Sequence, residues 1–264
     1  MDDATRQTCL SLADQLATAA RDETLKYFRR PGTAADNKLA DGFDPVTEGD
    51  RAAEAAMRKI IEAQRPDDGI LGEEFGPKDS QSGLTWVLDP IDGTRGYISG
   101  TPTWGTLIAL HDGTKPVLGV IDQPYIGERF MGGLGQAHLD GPRGRDALQV
   151  SNITTLSEAT ILTTFPEVGT PEEGMAFHAV AERCKLTRYG MDCYGYALLA
   201  LGQVDLVIEA GLQPYDIQAP IAVVEAAGGL VTDWSGMPAD QGGRVVAAAT
   251  QKLHAAALDI LRSA

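Results

Sequence analysis

A layered α/β (α+β) fold is expected from three features of this chain. Two amphipathic helical stretches open it, a run of β segments follows, and from about residue 151 strands and helices alternate. The first half reads as a helix pair on an antiparallel meander, and the second as strands interleaved with helices. Such a combination packs as layers of helix and sheet. With 264 residues the chain is long enough for one domain with a substantial core, divided at approximately 1–150 and 151–264 into two subdomains.

The elements follow in order. Residues 4–30 predict a helix, because Leu10, Ala13, Ala17, Ala20, Leu25 and Phe28 share a face; Pro31-Gly32 stops it. Residues 33–46 read as a polar loop. Thr47 is placed to cap a second helix over 48–64, with Ala53, Ala56, Met57, Ile60 and Ile61 inward. Gly69-Ile70-Leu71-Gly72 is a brief strand or turn that delivers Glu73 and Glu74. An apolar strand over 84–88 breaks at Asp89-Pro90-Ile91-Asp92. Three β segments follow at 105–111, 116–123 and 128–131. In the second half, strands are expected at 159–162, 204–208, 229–232 and 245–249, and helices at 171–183, 193–201, 214–227 and 251–261.

Composition narrows the function. Hydrophobic residues make up 43%, as in an ordinary globular protein, and the net charge is −15. A field of that sign opposes binding to nucleic acid or to an anionic membrane. An anionic substrate would need a local positive charge, which metal ions supply. Cys9, Cys184 and Cys193 have no metal-ligand or disulfide spacing, so reduced thiols in the cytoplasm are expected. The start Met1-Asp2-Asp3-Ala4 lacks the pattern of a signal peptide, and no apolar run approaches the roughly 18 residues of a membrane span.

Five acids stand out by position: Asp50 and Asp216 in helix first turns, Glu73 after a strand-end Gly, and Asp89 and Asp92 around a strand break. Taken singly, capping or turn chemistry accounts for each. Taken together they occupy the places where functional side chains gather in layered α/β folds. Two carboxylates this close repel, so one takes up a proton or both share a cation. Oxygen-only donors favour a hard cation such as Mg²⁺. A cluster holding two or three such ions suits phosphoryl transfer, since metals neutralise the phosphate and lower the pKa of a bound water. Thr94 is placed to orient that water, and the N–H groups at Gly93-Thr94 to hold phosphate oxygens.

These residues resemble the inositol monophosphatase family. Asp89-Pro90-Ile91-Asp92-Gly93-Thr94 matches its central motif, and Gly72-Glu73-Glu74 its upstream glutamate motif. Pro45-Val46-Thr47-Glu48-Gly49-Asp50 resembles the segment carrying a third-metal acid. Tyr215-Asp216 with Glu225-Ala226-Ala227-Gly228-Gly229 resembles the C-terminal motif, with Tyr where Trp is common. The resemblance implies an αβαβα sandwich of the inositol monophosphatase/fructose-1,6-bisphosphatase type. It implies that Glu73, Asp89 and the Ile91 carbonyl hold one metal, and Asp89, Asp92 and Asp216 a second. Asp50 would serve a third, and Thr94 with Glu73 would orient the nucleophile. A homodimer and lithium sensitivity are implied as well, with no covalent phosphoenzyme.

Within the family, the stretch 98–110 and Gly190-Met191-Asp192-Cys193-Tyr194-Gly195-Tyr196-Ala197 look most like the histidinol-phosphatase branch. Asp192 has a physical rationale, because histidinol phosphate carries an ammonium and a protonatable imidazole that an acid would pair with. Glu209, seven residues before Asp216, lies where the family contacts the leaving alcohol. A helix cap is the competing account of Asp192. Trp104 and Tyr194 are core residues or ring-stacking partners, Lys38 an exposed lysine or a mobile-loop residue. The four histidines lack metal spacing, and Pro142-Arg143-Gly144-Arg145 reads as a solvated basic turn. The expected activity is hydrolysis of L-histidinol phosphate. The alternatives are an inositol or sugar monophosphatase, and a non-catalytic binding protein on the same fold that contacts RNA polymerase or a ribosome-associated partner.

Overall fold

The computed structural model describes residues 1–30, 35–37 and 45–263. Pro31-Gly32, Lys38 and most of the loop 33–46 lie outside the described residues. Helix α1 (Asp3–Tyr27) starts where the Asp2 carboxylate accepts the Thr5 N–H at 2.7 Å. Strands β1 (Ala35–Asn37) and β2 (Pro45–Thr47) pair antiparallel. Helix α2 (Glu48–Gln64) begins at a reciprocal cap between Thr47 and Asp50, as Thr47 predicts. Cys9, Leu12, Leu16 and Ala20 of α1 pack with Ala53, Met57 and Ile61 of α2, all fully buried.

This pair covers a seven-stranded sheet. Its strands are β3 (Gly69–Gly72), β4 (Thr85–Asp92), β5 (Gly105–His111), β6 (Pro116–Gln123), β7 (Glu128–Gly133), β8 (Gln136–Gly141) and β9 (Gly144–Ala147), neighbours in chain order. β3 runs parallel to β4 and every later pair is antiparallel. β4 runs four residues beyond the expected break: its pairing with β5 shifts between Asp89 and Asp92 and then resumes. The Thr106 hydroxyl donates to the Pro90 carbonyl at 2.7 Å inside that irregularity, so the Asp-Pro segment stays in the sheet. β8 and β9 carry no strand signal in the sequence, because β8 buries only Leu139 and β9 buries nothing. The basic turn 142–145 joins them, with Arg145 paired to Asp140 at 2.7 Å.

Helix α3 (Thr94–Ser99) follows β4. The second half holds β10 (Thr160–Thr163), α4 (Pro171–Ala181), β11 (Leu186–Tyr189), α5 (Cys193–Ala200), β12 (Leu206–Leu212), α6 (Pro214–Ala226), β13 (Leu230–Asp233), β14 (Gly243–Ala248) and α7 (Gln251–Leu261). Its five strands take the order β11-β10-β12-β14-β13. The unanticipated β11 is a largely exposed edge strand, so burial left no pattern in its residues.

α5 and α6 lie between the two sheets. One core cluster joins Leu107, Ile121 and Phe130 of the first sheet to Tyr196 and Val223 of these helices and to Val207 and Val245 of the second sheet. α6 is apolar nearly all round because both its faces are covered. Its close approach depends on glycines: a Cβ at Gly119 would lie 2.3 Å from the Ala219 carbonyl oxygen, and one at Gly132 2.4 Å from the Val223 Cα. Phe177 of α4 and Leu253 of α7 bury against Ile161, Leu206 and Val246 on the far side of the second sheet. The layers are therefore α1/α2, sheet, α5/α6, sheet, α4/α7, the expected αβαβα arrangement. No helix among the described residues is long and apolar enough to cross a membrane.

Candidate active site

β3 and β4 run parallel, so their ends bring Glu73 beside the break in β4; the Glu73 N–H donates to the Leu88 carbonyl at 3.2 Å. At the end of β4 the Asp89 carboxylate accepts the Ile91 N–H at 3.0 Å. Gly93 then takes φ 83°, a left-handed conformation suited to glycine, and turns the chain into α3. Thr94 opens that helix, and its hydroxyl donates to the Ile91 carbonyl at 3.1 Å. Asp216 comes from the first turn of α6, where its carboxylate accepts the Gln213 N–H at 2.7 Å.

Two carboxylate groups result. Asp89, Asp92 and Asp216 each place an oxygen within 4.8 Å of the others, and Asp50, Glu73 and Glu74 do the same. Glu74, next to Glu73 in the upstream glutamate motif, thus joins the acids as a third member of the second group. Burial raises the Asp89 carboxyl well above its ordinary value, and Glu73, Asp92 and Asp216 push the same way. Burial, Asp192 and Asp216 raise Asp92. Burial pushes Asp50 and Asp216 each up to about 7. Among the described residues, no Lys, Arg or His forms an ion pair with Asp50, Asp89, Asp92 or Asp216. The Asp50 Oδ1 atom is buried without a hydrogen-bond partner among them. Oxygen-only donors that crowd and repel fit a hard divalent metal.

A cavity of about 470 Å³ opens on this cluster. Glu73, Asp89, Ile91, Asp92, Gly93 and Thr94 line it from the first sheet, and Asp192, Glu209 and Asp216 from the second half of the chain. Asp50 does not line it and stands behind Glu73. The Asp192 carboxylate lies against Gly93, where a Cβ would sit 2.7 Å from its Cγ, and accepts the Thr103 hydroxyl at 3.4 Å. Burial and Glu209 push Asp192 up to about 6, opposed by Thr103 and Arg95. Asp192 occupies the N-cap position of α5 but makes no side-chain cap; the Cys193 N–H donates to Asp92 instead, at 2.6 Å. Glu209 is buried and fully engaged: it accepts the N–H and hydroxyl of Thr164 at 3.0 and 2.5 Å and the Tyr196 hydroxyl at 3.1 Å.

Trp104 and Tyr194 do not reach the cavity. Trp104 is fully buried against Phe28 and Tyr97, and Tyr194 donates to Glu128 at 2.7 Å. The four histidines serve structure: His254, for example, is 2.8 Å from the Thr232 hydroxyl. Sequence reasoning passed over Arg95, Thr164, Phe165 and Tyr196, which all line the cavity. The strand-end position of Thr164 and Phe165 after β10 was the available signal.

A profile of the inositol monophosphatase family matches residues 5–264. The chain is 44% identical over 229 residues to the bifunctional phosphatase IMPL2, chloroplastic, of Arabidopsis thaliana, covering 86% of this chain and 64% of that protein, so it spans under two thirds of that relative's length. It is 38% identical over 229 residues to a histidinol-phosphatase of Chlorobaculum parvum, covering 86% of each. The structure of an inositol monophosphatase from Zymomonas mobilis superposes with a TM-score of 0.85 at 38% identity, covering 99% of this chain and 100% of that one.

Proposed function

This chain belongs to the inositol monophosphatase family of metal-dependent phosphatases, and on that premise we propose that it hydrolyses L-histidinol phosphate to L-histidinol and phosphate with Mg²⁺. The observation that carries the substrate is the second pair of carboxylates, Asp192 and Glu209, lining the cavity of the acid cluster. A neutral polyol brings no charge to these carboxylates. Histidinol brings an ammonium and an imidazole to them. The histidinol-phosphatase relative supports the same reading.

Glu73, Asp89 and the Ile91 carbonyl would hold one Mg²⁺, Asp89, Asp92 and Asp216 a second, and Asp50 would serve a third. When bound, these ions supply charge neutralisation at the phosphate and a lowered pKa for water. The chain's own residues do the positioning. The Thr94 hydroxyl donates its hydrogen bond to the Ile91 carbonyl, which leaves its lone pairs to accept from a water, and Glu73 lines the same cavity. The backbone at Gly93 and Thr94 faces the phosphate oxygens. The water oxygen bonds to phosphorus as the phosphorus–alcohol bond breaks; overall one water is consumed, its hydroxide part ending on phosphorus and its proton on the alcohol, which leaves toward Asp192 and Glu209. The same reading expects a cytoplasmic homodimer.

Phosphate release with Mg²⁺ tests this on L-histidinol phosphate, inositol 1-phosphate and 3′-phosphoadenosine 5′-phosphate. The highest kcat/KM is expected for histidinol phosphate. A large excess for inositol 1-phosphate would establish the second reading, which the equal identity to an inositol monophosphatase structure favours. No turnover of any ester would leave a binding protein on this fold.

A further inference from the structure

Phe165 carries its ring to the rim of the cavity rather than into a core. It is 45% exposed and belongs to none of the four buried clusters, whereas Trp86, Trp104, Phe130 and Phe177 are fully buried. The guanidinium of Arg95 lies over its ring, 4.9 Å from the centroid. Arg95 stands on α3, after the first sheet, and Phe165 follows β10 of the second. The stacked pair therefore bridges two walls of one cavity.

The segment holding the ring is fixed at each neighbour. Thr164 gives two hydrogen bonds to Glu209. The Pro166 carbonyl is 3.0 Å from His178 Nε2. The Val168 N–H donates to the Phe165 carbonyl at 3.2 Å, closing a turn, and the Val168 side chain is buried in the outer core cluster. Val168 holds φ 44°, an unfavourable region for a β-branched residue, so its surroundings must enforce it. A ring presented by such a turn is preorganised to stack.

We infer that Phe165 is the specificity-determining surface on which the imidazole of the leaving alcohol stacks, an inference that rests on the histidinol phosphate reading. Arg95 covers part of this ring with a planar cation, and the 45% exposure that remains is the surface left for an imidazole to stack on. Asp192 and Glu209 line the same cavity, so a cationic ring there meets carboxylates as well as an aromatic face. A polyol has neither the charge nor the π system to use them.

The test compares wild type, Phe165→Leu and Phe165→Tyr on L-histidinol phosphate and on β-glycerophosphate, which has no ring. Calorimetric titration with L-histidinol adds a readout that needs no turnover. Phe165→Leu is expected to raise KM for histidinol phosphate and weaken L-histidinol binding by about five- to tenfold. Its kcat and its constants for β-glycerophosphate stay at wild-type values, and Phe165→Tyr behaves as wild type. Equal changes for both esters, or unchanged L-histidinol binding in Phe165→Leu, overturn the inference. If wild type prefers inositol 1-phosphate, the substrate reading fails, and L-histidinol binding still decides the ring. Wild-type protein that does not bind L-histidinol overturns both.

Discussion

The carboxylate of Asp92 accepts the backbone N–H of Cys193 at 2.6 Å, across 101 residues of sequence. A candidate metal ligand at the end of β4 thus caps α5, the helix that follows Asp192. The acid cluster and the substrate wall are joined by one hydrogen bond.

That bond separates two substitutions. Asp92→Asn keeps an oxygen for the Cys193 N–H but loses the charge, so turnover should fall by at least about a hundredfold, the upper end for losses around a metal ligand. Its metal-free Tm should equal or exceed that of wild type, because one repelling carboxylate is gone. Asp92→Ala loses the cap as well and should be less stable than Asp92→Asn by about 1 kcal/mol. Urea denaturation and phosphate release check both, and substantial activity in Asp92→Asn would remove this residue from the metal cluster.

Asp192→Asn should raise KM for histidinol phosphate by about tenfold, the value of one charge-assisted contact of roughly 1.4 kcal/mol. KM for β-glycerophosphate should stay unchanged. Parallel increases for both esters would mean that Asp192 only shapes the turn at Gly93.

Metal-free protein should lose stability as pH rises. Asp50 and Asp216 have folded pKa values of about 7 against an ordinary 3.8, so the folded state binds more protons between those values. The slope of stability with pH is then negative, with the contribution fully present below about pH 4 and lost through pH 7. His138 and His254, lowered by burial, oppose this below pH 6.5. Comparing wild type with Asp216→Asn cancels them. In EDTA the wild-type Tm should fall more steeply from pH 5 to 8 than that of Asp216→Asn, and Mg²⁺ should restore it most at pH 8. Identical slopes would contradict the assignment.

Glu54 supports the Glu73 segment from α2. Its fully buried carboxylate accepts the Glu74 N–H at 2.7 Å and the Phe75 N–H at 3.3 Å, and pairs with Arg58 at 2.7 Å. Glu54→Gln weakens these acceptors while nearly conserving volume. The Mg²⁺ concentration for half-maximal activity should rise about 10- to 100-fold, as for other residues that orient metal ligands. An unchanged Mg²⁺ requirement would make Glu54 a purely structural residue.

Much of this was legible in the chain. Helical periodicity and Thr47 predict α2 over its observed range, and apolar runs bounded by Gly and Pro predict β5 and β6 to the residue. β8, β9 and β11 were not legible, because strands held by neighbours and turns rather than by a buried face leave no hydrophobic pattern. The acids of the cluster stood at strand ends and helix first turns. Asp192 looked like a cap on local grounds, yet Asp92 makes that bond.

The sequence by itself determined the layered architecture, the acid-bearing ends of β3, β4 and α6, and membership of a phosphatase family. These rest on local periodicity, turn chemistry and short motifs, each read within a few residues. Only the tertiary structure decided that Asp92 caps α5, that Thr164 and Tyr196 hold Glu209, and that Phe165 faces Arg95 across the cavity. Burying α5 and α6 between the two sheets sets those contacts, and that burial sums small gains over many distant residues.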